Sequence, residues 1–206
     1  PYREATIDTS SDGEIMQYLT RHTDITEVIL SGGDPLMLSD NKLQQLIKSL
    51  NRIPHIRRLR IHSRLLSVLP ERIDNDFINT ISQFDGAVIF VTHINHAQEI
   101  SPTNQAAFEH LKNQGFTLLN QSVLLKGVND KADTLAELSY ALFSSHILPY
   151  YLHRLDKVQG SAHFDITQKS SCDVYKNLQK LLPGYLLPRM VDEIAGHSSK
   201  SSVQCL

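Results

Sequence analysis

The stretch Glu27-Val-Ile-Leu-Ser-Gly-Gly-Asp-Pro-Leu36 joins a short apolar run to two glycines, a carboxylate and a proline. Residues 28–30 have the composition of a buried strand in a parallel sheet. Gly32 and Gly33 allow a sharp turn and place no side chain between the backbone and a ligand. We therefore predict a strand followed by a turn that presents main-chain groups and the Asp34 carboxylate to a small molecule.

Similar apolar runs recur along the chain every 30 residues, and each is followed by a stretch with helical periodicity. They begin near Glu27, Arg57, Ala87, Thr117 and Ile147. A strand, its loop and a crossover helix together take roughly 30 residues, so the pattern predicts consecutive βα units. Equal units without a reversal favour a barrel over a doubly wound sheet.

A closed barrel of this kind takes about eight strands, more than this chain provides. We therefore predict an α/β fold with an open, partial (β/α) barrel made of five βα units and a C-terminal helical segment. We expect one domain over residues 1–206, with a tail from 184 to 206. Because the chain opens at Pro1 rather than Met, we also expect a preceding segment, with a further strand, in the parent protein.

The helical periodicity predicts which apolar side chains face the core. A first helix over residues 12–20 should turn Ile15, Met16 and Leu19 inward. The later apolar faces are Leu43, Leu46, Ile47 and Leu50; Ile73, Phe77, Ile78 and Ile81; Ala107 and Leu111; Leu135, Leu138 and Leu142; and Val174, Leu178, Leu181 and Leu182.

The overall composition argues against several classes of protein. The net charge is −2 and the pI is about 6.6, so nothing indicates binding to nucleic acid or to an anionic membrane. No apolar run approaches the roughly 20 residues of a membrane span. Cys172 and Cys205 are too few for a disulfide framework. We expect two unpaired apolar thiols and a cytoplasmic protein.

Each predicted strand ends in polar residues, and in barrels of this type the functional residues lie at the C-terminal strand ends. A single polar residue there is ordinary, whereas five clusters at equivalent positions predict one functional mouth. The clusters are residues 31–34; His62, Ser63 and Arg64; His93, Asn95 and His96; Asn120, Gln121 and Ser122; and His153 with Asp156.

Two kinds of chemistry suit such a mouth. A metal hydrolase would use imidazole and carboxylate ligands, for which the candidates are His62, His93, His96, His153 and Asp156. The mixture of amides, hydroxyls and arginine fits better with a cofactor that carries phosphate and carboxylate groups. Lys200, in a Gly/Ser-rich segment, is then a candidate for an imine with pyridoxal phosphate.

Several motifs resemble the radical S-adenosylmethionine (SAM) family of lysine 2,3-aminomutases. They occupy residues 30–40, 53–64, 93–96, 119–125 and 127–130. Residues 149–153, 155–160 and 162–164 look most like the branch that supplies β-lysine for the modification of elongation factor P. The resemblance extends from the first strand to Lys200 and covers nearly the whole chain.

The resemblance implies an isomerase that holds a four-iron, four-sulfur cluster, SAM and pyridoxal phosphate in a partial barrel. The cluster would reductively cleave SAM to a 5′-deoxyadenosyl radical that takes a hydrogen from C3 of lysine. The nitrogen would then move from C2 to C3, and the hydrogen would return. The implied partners are L-lysine and an electron donor, with a pathway link to elongation factor P that needs no direct contact. A homo-oligomer is compatible with this function.

The resemblance also implies roles for individual residues. Gly32, Gly33 and Asp34 would bind the methionine end of SAM, with His62, Ser63 and Arg64 as further cofactor-binding residues. His93, Asn95, Gln121 and His153 would lie around SAM and the pyridoxal ring. Asp156 and Glu193 would receive the side-chain ammonium of lysine, and Lys200 would bind pyridoxal phosphate covalently. His153 stands where the catabolic enzymes have tyrosine, which favours the elongation factor P branch.

The chain departs from the family pattern at two places. The Cys-x3-Cys-x2-Cys motif that holds the cluster is absent, so this chain supplies no metal ligand. In the family that motif lies just upstream of a segment like Pro1-Tyr2, beside an arginine for the substrate carboxylate, and we expect the chain alone to be inactive. Ser201-Ser202 replaces the usual Thr-Pro after the lysine. Two alternatives remain: a catabolic lysine 2,3-aminomutase, and a non-catalytic binding module that has lost its cluster.

Overall fold

A computed structural model describes residues 9–156, 159–193, 200–203 and 205. Pro1, Tyr2 and the segment 196–199 that precedes Lys200 lie outside the described residues. The described helices are α1 (Thr9–Arg21), α2 (Asp40–Leu50), α3 (Leu65–Val68), α4 (Asn75–Ile81), α5 (Pro102–Asn113), α6 (Ala132–Ser144) and α7 (Gln168–Leu181). The strands are β1 (Glu27–Leu30), β2 (Arg58–Ser63), β3 (Ala87–Thr92), β4 (Thr117–Val123), β5 (Leu148–His153), β6 (Arg189–Asp192) and β7 (Ser201–Ser202).

The 30-residue spacing predicted the first five strands correctly. Each begins within one residue of its predicted position, and a helix follows every one. The strands β6 and β7 were not predicted, because they are short and do not follow the 30-residue spacing that identified the first five strands.

The described residues fall into two compact units. The N-terminal unit contains the described residues up to Thr92 together with His110–Leu118. The C-terminal unit contains His93–Glu109 and the described residues from Leu119 onward. The expectation of a single domain stays a prediction.

In the N-terminal unit, β1, β2 and β3 form a parallel sheet in chain order. Alternation along β2 buries Leu59, Ile61 and Ser63, while Arg60 and His62 point to the other face and are half-buried. The helices cover the sheet with the apolar faces that their periodicity predicted. The fully buried side chains among these faces are Leu43, Ile47, Leu50, Phe77 and Ile81.

Two predicted apolar contacts are wrong. On α7 the Leu181 side chain is 44% exposed, although its periodicity predicted that it faces the core. The other residue lies on α1. Leu19 of α1 is buried and Met16 is half-buried, but the Ile15 side chain is 51% exposed. A helix with only a narrow apolar stripe buries its central residue and leaves the residue one turn earlier in solvent.

In the C-terminal unit, β5 pairs in parallel with β4 and β6, and the short β7 runs antiparallel to β6. The helices α6 and α7 pack together over this sheet. The core that they share is formed by Leu124, Leu135, Ala136, Leu152, Leu178, Leu182, Leu186 and Met190. Pro183 and Gly184 follow α7, as predicted from their helix-breaking character.

The two cysteines form a disulfide, so the prediction of unpaired thiols is wrong. Cys172 on α7 is bonded to Cys205, with their Cα atoms 5.2 Å apart. The Val203 amide donates to the Met190 carbonyl, which leads the chain after β7 back to the core beside α7. The expectation of a cytoplasmic protein rested partly on unpaired cysteines and loses that support. None of the described helices is both long and apolar enough to cross a membrane.

Candidate functional site

The turn after β1 has the backbone geometry that its two glycines predicted. Gly32 and Gly33 have φ angles of 86° and 56°, in the left-handed region that favours glycine. A Cβ placed on Gly32 would have no atom within 4 Å, so this side of the turn is open. The turn therefore offers main-chain groups to an incoming ligand.

Asp34 fixes this turn to the end of β2. Its Oδ1 accepts hydrogen bonds from the Leu36 amide at 3.0 Å and the Ser63 hydroxyl at 2.7 Å. Its Oδ2 accepts from the amides of Arg64 and Leu65, at 2.7 and 3.1 Å. A carboxylate has about four lone-pair sites, and protein donors fill all four here. Asp34 and Ser63 therefore hold the turn in shape, and their role toward SAM stays a prediction.

His93 and Gln121 meet in the C-terminal unit. The Gln121 Nε2 and His93 Nε2 atoms are 2.9 Å apart. The glutamine amide nitrogen donates, and the imidazole nitrogen accepts when it carries no proton. The Oε1 atom of Gln121 is buried and has no hydrogen-bond partner among the residues that the structure describes. A buried, unpaired carbonyl oxygen next to an imidazole is a suitable acceptor for a ligand donor.

Two predicted polar residues of the third and fourth strand ends bind the main chain instead. The Asn95 side-chain oxygen accepts from the Val123 amide at 2.8 Å. Asn120 is buried, accepts from the Ile94 amide at 2.8 Å and donates to the Ile94 carbonyl at 3.0 Å. These bonds join the loop after β3 to β4. They give both asparagines a structural role, and a direct role for Asn95 toward a cofactor stays a prediction.

Asn129 is an important residue to which the sequence analysis gave no role. It is completely buried, and its Nδ2 donates to the carbonyls of Asn95 and Val123, each at 2.9 Å. Its Oδ1 accepts from the Leu125 amide at 2.7 Å. One amide thus ties the loop after β3 to the loop after β4. Its position within the 127–130 motif was the available signal.

Lys200, Glu193 and His153 come together at the ends of β5, β6 and β7. The Lys200 Nζ lies 2.8 Å from Glu193 Oε1 and 3.0 Å from His153 Nε2. It also lies over the ring of Tyr151, 5.1 Å from the centroid. The antiparallel register explains the first contact: Val191 pairs with Ser202 and Asp192 with Ser201, so the next pair is Glu193 with Lys200.

The charges in this cluster influence one another. The pKa of His153 is lowered from 6.5 to about 4, first because the ring is buried and second because the Lys200 ammonium is close. The hydrogen bond from Lys200 lowers the pKa of Glu193. Burial, followed by the negative charge of Glu193, raises the pKa of Asp156. The cluster therefore holds a neutral imidazole beside an ammonium–carboxylate pair.

The metal-hydrolase alternative finds no matching geometry. Among the residues that the structure describes, no group of three or more His, Cys, Asp or Glu side chains is placed to hold a metal ion. His96 uses its Nδ1 to accept from the Gln98 amide, at 3.2 Å. The Nε2 atom of His153, where a metal ion would bind, faces the Lys200 amine at 3.0 Å.

Comparison with known proteins indicates the family. The chain is 49% identical to the L-lysine 2,3-aminomutase of Haemophilus influenzae over 201 residues, which cover 98% of the chain and 60% of the relative. It is 47% identical to the Escherichia coli enzyme of that name over 186 residues, covering 90% of the chain and 54% of the relative. The chain is thus similar to lysine 2,3-aminomutases over at least 90% of its own length.

The chain spans about half to three fifths of the length of these curated relatives. A more distant lysine 2,3-aminomutase, from Clostridium subterminale, is 35% identical over 188 residues, which cover 91% of the chain and 45% of the relative. No protein-family model matches the chain.

Solved structures support the fold of the chain. A crystal structure of Streptococcus suis SuiB has a TM-score of 0.62 and covers 91% of the chain and 44% of SuiB, at 13% identity. A second SuiB structure, bound to S-adenosylmethionine, has the same TM-score and covers 89% of the chain and 44% of SuiB. The prediction of an α/β partial-barrel fold is confirmed.

Asn129→Ala should destabilise the protein, because it leaves the Leu125 amide and two carbonyls without their partner. We expect a loss of roughly 2–4 kcal/mol in the free energy of unfolding. Urea unfolding of both proteins measures this difference. The control Asn113→Ala, at an exposed position at the end of α5, should change the free energy by less than about 0.5 kcal/mol. Equal effects of the two substitutions would contradict the role of Asn129.

His153 should make the stability of the protein depend on pH. Its pKa of about 4 in the folded chain lies below the usual 6.5, so the unfolded chain binds a proton that the folded chain rejects. This contribution to stability is fully present above pH 6.5 and is lost as the pH falls toward 4, at up to about 1.4 kcal/mol per pH unit.

Urea unfolding between pH 7 and 4 measures this dependence, and His153→Gln should reduce the slope by as much as one proton. The control His163→Gln, at an exposed position, should leave the slope unchanged. An unchanged slope in His153→Gln would contradict the prediction.

Proposed function

We propose that the protein containing this chain is an L-lysine 2,3-aminomutase, an isomerase that moves the amino group of lysine from C2 to C3. The observation that carries this proposal is the Lys200 amine, held by Glu193 and a buried imidazole in a chain 49% identical to an enzyme of that name. The proposal extends to β-lysine production for the modification of elongation factor P. It includes L-lysine as the substrate and an electron donor as a partner.

The residues of the C-terminal unit fit pyridoxal phosphate. A primary amine beside a neutral imidazole and a carboxylate is suited to a covalent bond with an aldehyde, since both neighbours accept hydrogen bonds from its nitrogen. When bound, pyridoxal phosphate would supply a conjugated ring that carries the substrate nitrogen and delocalises an unpaired electron. The buried Gln121 Oε1 and the His93 ring are polar groups available for its orientation.

The residues of the N-terminal unit fit the methionine end of SAM. Gly32 and Gly33 present main-chain groups on an open side of the turn, and Asp34 holds that turn in place. When bound, SAM supplies the group that abstracts hydrogen from the substrate. His62 and Arg64 lie at or just after the end of β2 and are proposed as further contacts.

The residues of this chain do not fit an iron–sulfur cluster. The sequence has two cysteines, and both are used in the disulfide. A cluster needs thiolate ligands, so its ligands must come from outside this chain if the proposed enzyme has one. We derive no catalytic step through it from these residues.

Lys200 is predicted to be the lysine that binds pyridoxal phosphate. The chain is incubated with limiting pyridoxal phosphate and reduced with borohydride, and the modified lysine is located by peptide mass spectrometry. Most of the label should lie on Lys200 and be lost in Lys200→Met. The control Lys180→Met, at an exposed position on α7, should keep the label on Lys200. A Lys200→Met variant labelled as strongly as the wild type would contradict the proposal.

A catabolic lysine 2,3-aminomutase is the second candidate, since the C. subterminale protein is 35% identical. His153, where the catabolic enzymes are expected to have tyrosine, favours the elongation factor P branch. We expect the two branches to give opposite enantiomers of β-lysine. Chiral chromatography of the product from the whole enzyme, loaded with its cofactors, decides between them. If neither enantiomer of β-lysine is formed, the result would favour the non-catalytic alternative.

A further inference from the structure

The Lys200 cluster already binds a primary ammonium, and that ammonium belongs to the chain itself. Glu193 provides a carboxylate oxygen at 2.8 Å, and His153 a ring nitrogen at 3.0 Å. The His153 side chain is buried, with 10% of it exposed, and its Nε2 atom faces the ammonium. The Tyr151 ring covers another side of the ammonium. Together these groups surround a primary ammonium with a negative charge, a hydrogen-bond acceptor and an aromatic ring.

The charge balance of the cluster depends on Lys200. The nearby Asp192 is paired with Arg154 at 3.1 Å. Asp156 and Glu193 both interact electrostatically with Lys200. The negative charge of Glu193 also raises the pKa of Asp156. Among the described residues of this cluster, loss of the Lys200 charge leaves two carboxylates beside a neutral imidazole. Such a site attracts another cation.

We propose that unmodified Lys200 occupies the position that receives the side-chain ammonium of the substrate, and that covalent use of its amine opens this position. This inference rests on the proposed function, because it takes the substrate to be an amino acid with a second, terminal ammonium. Lys200 and such a substrate present the same group, a primary ammonium on an alkyl chain. They therefore compete for Glu193 and His153, and the cofactor must engage Lys200 before this position accepts substrate.

The test measures binding of L-lysine to the full chain without any cofactor, by calorimetry or by NMR titration. L-norleucine, which has the same length of side chain without the ammonium, is the control ligand. Lys200→Met removes the competing cation, and L-lysine should bind to it about fivefold more tightly than to the wild type, since a tethered competitor acts at a high effective concentration. The affinity for L-norleucine should not change.

Four further variants separate this proposal from a general effect of charge or folding. Lys200→Arg keeps the cation and should bind L-lysine as weakly as the wild type. Lys180→Met removes a positive charge elsewhere and should also behave as the wild type. Adding Glu193→Gln to Lys200→Met should abolish the gain. Lys200→Gln, whose side chain is polar and uncharged, should repeat the gain if Lys200→Met fails to fold.

The proposal is overturned if both neutral variants bind L-lysine within twofold of the wild type, or if the gain persists with Glu193→Gln. Failure of this binding test can be distinguished from failure of the proposed function, because the binding test contains no pyridoxal phosphate. Failure of borohydride labelling at Lys200 would remove the proposed cofactor chemistry while leaving the ammonium position intact. A gain for L-norleucine equal to that for L-lysine would also overturn the proposal, since it would not depend on the ammonium.

Discussion

The ion pair between Lys200 and Glu193 determines how the C-terminal unit presents its chemistry. The two residues face each other because β7 continues the antiparallel register of β6, so a two-residue strand is enough to place an amine opposite a carboxylate. His153, at the end of β5, completes the cluster, because β5 pairs with β6 through His153 and Val191. Three strand ends thus define the position of one nitrogen atom to within hydrogen-bonding distance.

Side chains at the other strand ends mostly satisfy the backbone. Asp34, Asn120 and Asn129 direct their polar atoms toward amides and carbonyls of neighbouring loops. Loops that contact a ligand need a defined shape but have few regular hydrogen bonds of their own. Buried side-chain amides and carboxylates supply these bonds, which keeps the glycine turn and the loop after β3 ordered. Polar residues at a strand end can therefore shape a binding site even when many of their polar atoms bond to the backbone and not to a ligand.

The sequence predicted the regular part of the fold because repeated spacing and helical periodicity are strong signals. It predicted the first five strands and most apolar helix faces, and it named His153, Glu193 and Lys200 as candidates without predicting their mutual contacts. It did not predict β6, β7 or the role of Asn129, since short strands and a single buried amide leave no periodic pattern. Ile15 and Leu181 were misplaced because periodicity gives the direction of a side chain but not what lies beside it.

The disulfide was unpredictable for a related reason, since 33 residues separate the cysteines and their approach depends on the path of the chain after β7. It has one topological consequence for the amine at position 200. Cys172 and Cys205 enclose Lys200 in a covalent ring, so a single backbone cleavage anywhere inside that ring would not release the piece that bears the amine. The severed piece would stay attached to α7 until a reductant opened the sulfur–sulfur bond.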